Sequence, residues 1–326
     1  MRPFAYERAA DPAGAVAALG GGGDGARYLG GGTNLVDLMR LGVETPSRLV
    51  DVSRLELGGV QALDGGGLRI GAGVRNSELA ADRTVRERYP VLAAALLAGA
   101  SGQLRNLATV GGNLLQRTRC AYFQDVASPC NKRAPGTGCP AREGEHHNLA
   151  ILGHSAHCVA TNPSDMAVAL AALDAVVHVH GADGARTVAL ADLYRLPGDE
   201  PQRETTLRPA DLITAVELPE LPPAANSAYR KVRERASFSF AVVSVAAALD
   251  VADGVVRDCR VALGGVAHRP WRALAAEHAL RGGPATVGAF RRAAEIELDV
   301  ARPLRDNAYK VALARDVIVD TLRRLA

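Results

Sequence analysis

Cys120, Cys130, Cys139 and Cys158, four of the five cysteines in this chain, fall within 39 residues and are separated in turn by nine, eight and eighteen residues. Thiols crowded this way suggest a metal or redox centre, because thiolates bind iron–sulfur clusters or tetrahedral zinc. Structural zinc is commonly held by paired C-x₂₋₄-C knuckles, and the sequence has none. Spacing this wide and irregular needs a folded loop to bring four sulfurs together. Arg117, Arg119, Lys132 and Arg133 lie nearby and would offset the negative charge of a thiolate-bound centre. His146, His147, His154 and His157 keep a mixed Cys/His site open. At this level an iron–sulfur cluster, zinc and unligated thiols all stand. Cys259, in VVRDCRVALGG, sits apart and reads as a small buried core residue.

Two glycine-rich stretches carry a second kind of chemistry. In Leu29-Gly30-Gly31-Gly32-Thr33-Asn34-Leu35 a strand pattern runs into three glycines and then into a helix pattern. Successive glycines let backbone N–H groups converge on an anion, and the following helix presents its positive end. Thr33 and Asn34 add side-chain donors. The stretch has neither the spacing of G-x-G-x-x-G nor the lysine of a Walker loop, and a tight glycine turn with an Asn cap would read the same way. RNLATVGGNL, residues 105–114, places Thr109, Val110, Gly111, Gly112 and Asn113 in a second such loop, although a β-turn would look alike. Two loops, each with a threonine and an Asn-Leu end, fit a diphosphate held from both sides. Thr161-Asn162-Pro163-Ser164-Asp165-Met166 reads first as a helix N-cap. The exposed N–H groups of that cap, with Asp165, can also meet a nucleotide's ribose or pyrophosphate. YRKVRERASFSF, residues 229–240, concentrates Arg and Lys before an apolar run. It reads as a solvated face unless Lys231 or Arg235 turns inward to a cofactor.

These groups must be positioned by elements that the rest of the sequence describes. The chain has 326 residues, enough for two or three domains. It is 48% hydrophobic but only 4% aromatic, so the core must be built mainly of Ala, Val and Leu. A formal charge of +3 with scattered arginines leaves no nucleic-acid footprint. The longest apolar run, 240–249, is broken by Ser244 and as a helix would cross about half a bilayer, so no membrane span is expected. MRPFAYERAADP lacks an apolar h-region and a twin arginine, which favours a cytoplasmic location. Export into the periplasm together with a signal-bearing partner is the alternative. In a reducing compartment the clustered cysteines are expected as thiols or ligands, not disulfides.

Residues 11–19 (DPAGAVAAL) carry an Asp cap followed by Pro, 35–41 (LVDLMRL) have helical apolar spacing, and 27–29 and 48–52 read as short strands. From 56 to 220, strand patterns at 68–74, 175–180 and 213–218 mix with helix patterns at 89–98 and 165–174. LPELPPA, 218–224, is the best candidate linker. Beyond it come the apolar run at 240–249, a loosely alternating strand at 255–262, and helical patterns that include 311–325. Residues 20–25 read as a flexible surface loop. Segregated sheets and helices predict an α+β fold.

In this order, MRPFAYERA, YLGGGTNLVDLM, LRIGAGVRNSELA, RNLATVGGNL, NPSDMAVALAALDA, YRKVRERASFSFAVVSVAAAL and VALGGVAHRPWRA span essentially the whole chain. Together they resemble the FAD-binding medium subunit of the molybdenum hydroxylases, the xanthine dehydrogenase and aldehyde oxidoreductase family. The resemblance implies two FAD-binding subdomains of the vanillyl-alcohol-oxidase (PCMH) type, at 1–55 and 56–222. A C-terminal α+β domain like that of CO dehydrogenase flavoproteins follows at 223–326. It puts the FAD pyrophosphate on Gly30 to Asn34, flanked by Leu29 and Leu35, with Thr109 to Asn113, Ser164 and Asp165 completing the site. Ile213 matches a position that meets the flavin region, and Lys231 matches a family lysine near the flavin.

Most medium subunits lack the four-cysteine segment. RCAYFQDVASPCNKR, GTGCP and HCVATNPSDM, at about 117–160, are instead similar to the branch of periplasmic-type aldehyde oxidoreductases. There the flavin subunit holds an extra [4Fe–4S] cluster, and a related insertion occurs in 4-hydroxybenzoyl-CoA reductase. By this resemblance all four clustered cysteines become cluster ligands. The implied partners are a large subunit with the molybdenum cofactor and a small subunit with [2Fe–2S] centres, in a heterotrimer that can pair into a dimer. The implied function is electron transfer: the molybdenum partner oxidises an aldehyde, and electrons pass through [2Fe–2S] centres to FAD and on to an external acceptor. No catalytic residue is then needed in this chain, and no Ser/His/Asp or paired-carboxylate set is evident. The alternatives are a flavin subunit of a xanthine dehydrogenase or 4-hydroxybenzoyl-CoA reductase-like complex, a self-contained flavin oxidase, and a zinc-stabilised interaction protein.

Overall fold

Three sheets follow one another in the computed structural model, which describes residues 1–236 and 238–326, the side chain of Asp24 apart. In the first, β1 (Ala5–Arg8) and β2 (Ala26–Leu29) lie parallel on either side of β3 (Arg48–Asp51). Parallel neighbours need crossover connections, which run through the Pro12–Gly20 and Leu35–Leu41 helices. The Pro12–Gly20 helix starts where the Asp11 carboxylate accepts the Gly14 N–H at 2.7 Å, with Pro12 in its first turn. The Leu35–Leu41 helix ends at Gly42, whose φ of 76° is the left-handed conformation that glycine adopts freely. The glycine tract after the first helix is not the free loop expected from the sequence. The helix runs through Gly20, the N–H groups of Gly21 and Gly22 close onto its last carbonyls, and Gly23–Gly25 forms a 3₁₀ turn.

The second sheet is antiparallel, in the order β4-β5-β8-β6-β7. Its strands are β4 (Val60–Ala62), β5 (Leu68–Gly71), β6 (Val176–Gly181), β7 (Gly184–Ala189) and β8 (Leu212–Leu218). Ile70, Val177 and Val216 from this sheet share one core with Leu92 and Leu96 of the Pro90–Ala98 helix and with the Asp165–Ala172 helix. Residues 105–114 are not a β-turn. Gly102–Leu107 is a helix capped by Ser101, and Thr109 caps a second short helix, Val110–Leu114.

The third sheet runs β12-β11-β10-β9, from β9 (Ser227–Val232), β10 (Val243–Ala252), β11 (Val255–Gly264) and β12 (Trp271–Arg272). Alternation along β10 explains its nearly continuous apolar run. Ala246, with Ala262 of β11, joins the core of the Asp165–Ala172 helix. Val245, Ala247 and Leu249 belong to a core shared with the helices Leu274–Leu280, Val287–Leu298 and Tyr309–Leu325. Small residues let the Asp165–Ala172 helix come close; a Cβ on Gly264 would meet Val168 at 2.6 Å. The basic stretch before β10 is split. Residues 227–232 form edge strand β9, whereas Ser237 lies outside the described residues.

Between Leu114 and Asp165 the chain is mostly loop, with a short Ala121–Gln124 helix and its own small core of Leu38, Phe123, Ala141, Leu149 and Val159. Lys310, fully buried on the last helix, donates to the carbonyls of Asn148 (3.1 Å), Leu149 (2.8 Å) and Gly265 (2.6 Å), and so ties this segment to the third sheet. No helix among the described residues is long and apolar enough to cross a membrane. Glu277, 0% exposed, accepts from the Val261 N–H at 2.8 Å and pairs with both Arg272 and Arg281. Removing one member of a buried ion pair leaves the others desolvated without compensation. Glu277→Ala is therefore expected to destabilise the protein by roughly 3–5 kcal/mol, read as a lower urea midpoint with little change in slope.

Candidate functional site: a glycine-walled cleft beside a cysteine cavity

The first glycine loop links β2 to the Leu35–Leu41 helix and lies directly against the second. A Cβ on Gly31 would stand 2.0 Å from the Leu107 carbonyl oxygen, and one on Gly30 would stand 3.3 Å from Thr109 Oγ1. Gly32 has a φ of 75°, which side-chain-bearing residues rarely adopt. Both loops thus present backbone where side chains would fill the space. Thr109 Oγ1 accepts the Gly112 N–H at 3.2 Å and orients the second loop. Asn34 does not cap its own helix; its Oδ1 accepts the Arg117 N–H at 2.8 Å, across to the start of the cysteine segment.

Between the loops opens a cleft of about 1160 Å³. This exceeds the roughly 300–1,000 Å³ of ordinary small-ligand pockets and suits an extended dinucleotide. Gly30, Gly31, Gly32, Thr33, Asn34, Leu35, Thr109, Gly111, Gly112 and Ile213 line it, so residues far apart in sequence meet here. The other residues anticipated for this site stand outside its lining. Leu29 precedes the loop on β2, and Val110 is buried in the core of the second sheet. Asn113 Oδ1 accepts from Ser164 Oγ at 2.6 Å, and Ser164 in turn accepts the Ala167 N–H to cap its helix. Asp165 and Lys231 form an ion pair at 2.8 Å with both side chains at least nine-tenths buried, and Tyr229 donates to the same carboxylate at 2.5 Å. Lys231 is therefore turned inward, against the solvated face first read for its segment. Arg235 instead donates to the Phe238 carbonyl.

Sequence reasoning missed much of the far wall. Tyr28 lines the cleft and donates to the Ala210 carbonyl at 2.7 Å, bringing the 203–212 segment over the glycine loops. That segment carries no motif, and nothing local in the sequence signals its place. His268 and Glu204 line the same cleft. Burial, and then nearby Lys132, push the His268 imidazole down to about 3, so it is neutral. Burial would raise the Glu204 carboxyl, but Lys132 and Arg117 outweigh that and hold it below its ordinary value.

Next to the cleft, Cys120, Cys130, Cys139 and Cys158 line a single small cavity with Phe123, Lys132 and Ala160. All four are free thiols, and no histidine lines the space. The four residues share one space, and among the described residues no group of three His, Cys, Asp or Glu side chains is placed to hold a metal ion. Hydrogen bonding from the Cys158 thiol favours thiolate at Cys139 and thereby raises Cys158, while burial raises Cys120. Lys132, 2.7 Å from Glu204, brings a buried cation to the cavity. Arg117 lies 4.6 Å over the Phe123 ring. Cys259 is buried apart, in the core of the third sheet.

A parallel β–α–β unit joined to an antiparallel sheet through a glycine-walled cleft is an arrangement with room for a dinucleotide cofactor. A family described as the FAD binding domain in molybdopterin dehydrogenase matches residues 2–221, and the CO dehydrogenase flavoprotein C-terminal domain matches residues 227–325. The chain belongs to the FAD-binding medium subunits of the molybdenum hydroxylases, an oxidoreductase family. It is 51% identical, over 99% of its length and 98% of the relative's, to the aldehyde oxidoreductase FAD-binding subunit PaoB of Escherichia coli (strain K12). The glyceraldehyde dehydrogenase medium chain of Sulfolobus acidocaldarius is 27% identical over 84% of this chain and 79% of that one. The carbon monoxide dehydrogenase of Hydrogenophaga pseudoflava, solved in a form lacking the Mo-pyranopterin moiety, superimposes with a TM-score of 0.77 at 27% identity, covering 98% of this chain and 96% of the other.

Two measurements probe this site. Gly31→Ala drives a methyl into the Leu107 carbonyl. The loops must then part, and FAD affinity is expected to fall at least about tenfold, about 1.4 kcal/mol, with the far-UV spectrum unchanged. The second follows from His268. Its folded value of about 3 lies below the ordinary 6.5, so below pH 6.5 the unfolded chain binds a proton that the folded chain refuses. Its contribution to stability is complete above 6.5 and is lost as pH falls towards 3. Urea midpoints of His268→Leu should decline less steeply than wild type over that interval.

Proposed function

We propose that this chain carries FAD and a [4Fe–4S] cluster as the electron-transfer subunit of a molybdenum-dependent aldehyde oxidoreductase. The observation that carries the reading is the placement of four free thiols around one cavity, directly beside the FAD cleft. The 51% identity to an aldehyde oxidoreductase FAD-binding subunit supports the aldehyde class over a xanthine dehydrogenase or 4-hydroxybenzoyl-CoA reductase-like complex. A large subunit with the molybdenum cofactor and a small subunit with [2Fe–2S] centres are the partners, and an external acceptor takes the electrons. The complex is cytoplasmic unless a signal-bearing partner exports it. The units are 1–55 and 56–222 for FAD, with the cluster segment at about 117–160, and 223–326 for the C-terminal domain.

Bound FAD takes electrons singly and gives them up in pairs, which is the chemistry a one-electron to two-electron junction needs. The chain's own residues hold and insulate it. Gly30 to Asn34 offer backbone N–H groups to the pyrophosphate, while Gly111 and Gly112, whose own N–H groups are taken by Ala72 and Thr109, leave room beside it. Asn113, Ser164, Asp165 and Lys231 work from behind the wall. Ser164 locks Asn113, and the Asp165–Lys231 pair anchors β9 against the helix that begins at Asp165. Ile213 supplies an apolar contact. Cys120, Cys130, Cys139 and Cys158 would release their protons on ligation, with Lys132 offsetting part of the resulting charge.

Iron, sulfide and flavin analysis of the complex purified with its partners tests this. FAD and one [4Fe–4S] cluster are expected in this subunit, and Cys139→Ser should remove the cluster's iron and sulfide. Aldehyde should bleach the flavin in the complex and leave it oxidised in the isolated chain. Bleaching in the isolated chain would overturn the electron-transfer reading in favour of a self-contained oxidase. Zinc without iron or flavin would support the structural alternative.

A further inference from the structure

The cysteine segment begins and ends in the cleft. Arg117 and Thr118 line the cleft, and two residues on, Cys120 lines the cavity. At the other end Cys158 and Ala160 line the cavity, and Thr161, Asn162 and Pro163 line the cleft. Lys132, in the middle of the segment, borders both spaces. These pieces are tied into one wall. Lys132 Nζ lies 2.7 Å from Glu204, whose other oxygen accepts from Arg117 Nε at 2.9 Å. Arg117 also donates to Glu44 at 2.5 Å, and its backbone is held by Asn34 of the first glycine loop. Its guanidinium rests on Phe123, a wall of the cavity.

We infer that the cysteine cavity and the FAD cleft are thermodynamically coupled through this shared wall, with Arg117 as the positioning residue that transmits the effect. The inference rests on the cluster reading above. Ligation of the four thiols joins both ends of the segment to one rigid centre, and so fixes the spacing of 117–118 from 161–163. Without it, the loop must be ordered at FAD's expense when the cofactor binds, which lowers affinity. Linkage makes the effect reciprocal: FAD must strengthen retention of the metal centre by the same factor.

The test uses the full-length chain, deflavinated and then divided into iron-loaded and chelator-stripped samples. FAD affinity is read from flavin fluorescence quenching, and folding from far-UV circular dichroism. The stripped wild type is expected to bind FAD about tenfold more weakly, within the usual range of coupling. Saturating FAD should raise the chelator concentration that removes half the iron by a matching factor. Arg117→Gln should retain its iron yet bind FAD more weakly, with affinity that no longer responds to stripping. Equal affinity in folded, iron-loaded and stripped wild type would overturn the coupling. If stripping unfolds the chain, iron-loaded Arg117→Gln decides, and an unchanged FAD affinity overturns the proposal. A wild-type chain that holds FAD but never iron would instead overturn the cluster reading itself.

Discussion

The whole arrangement depends on one steric constraint: the Leu107 carbonyl occupies the place where residue 31 would carry a Cβ. Only glycine satisfies it, and with glycine there the first loop docks backbone to backbone on the second. The contact brings the small parallel sheet to the antiparallel one and leaves a cleft lined by glycine backbone and by polar, charged and apolar side chains. The cleft-lining residues from Thr109 to Ile213 are placed relative to that junction.

Around it the structure spends charge in buried places and compensates each one locally. Lys132, Glu204, Arg117 and Glu44 form a chain of alternating sign along one wall. Asp165 and Lys231 neutralise each other behind another, and Lys310 has three carbonyls in place of an anion. Such sets are weak sources of net stability, because desolvation consumes much of the attraction. They are strong determinants of geometry, because each member is costly to leave without its partner. That fits their positions, at the seams between the cleft, the cysteine cavity and the third sheet.

Much of the site was legible in the chain itself. Glycine has few reasons to occur in runs, and the Gly30–Asn34 and Thr109–Asn113 stretches lie where a strand or helix signal adjoins them. Asp11 and Ser164 announced helix starts through hydrogen bonds made within three residues, and Pro12 through its fixed φ in the first turn. What escaped were contacts that depend on a distant partner. Tyr28 meets Ala210, Asn34 meets Arg117 and Lys231 meets Asp165 across 182, 83 and 66 positions, and no local pattern encodes such meetings. The second loop also escaped in part, since a turn and a one-turn helix share the residues Thr-Val-Gly-Gly.

The sequence by itself determined the kinds of residue available: two glycine-rich stretches, four clustered thiols, an Ala- and Val-rich core, and the α+β order of elements. Local propensities and side-chain types act over a few residues, so these features survive being read in one dimension. Only the tertiary structure decided that the thiols enclose a single cavity, that Lys231 is committed to Asp165, and that the cavity and cleft share a wall. Those outcomes follow from packing and from pairing buried charges across long separations, and such energies exist only once the chain has closed on itself.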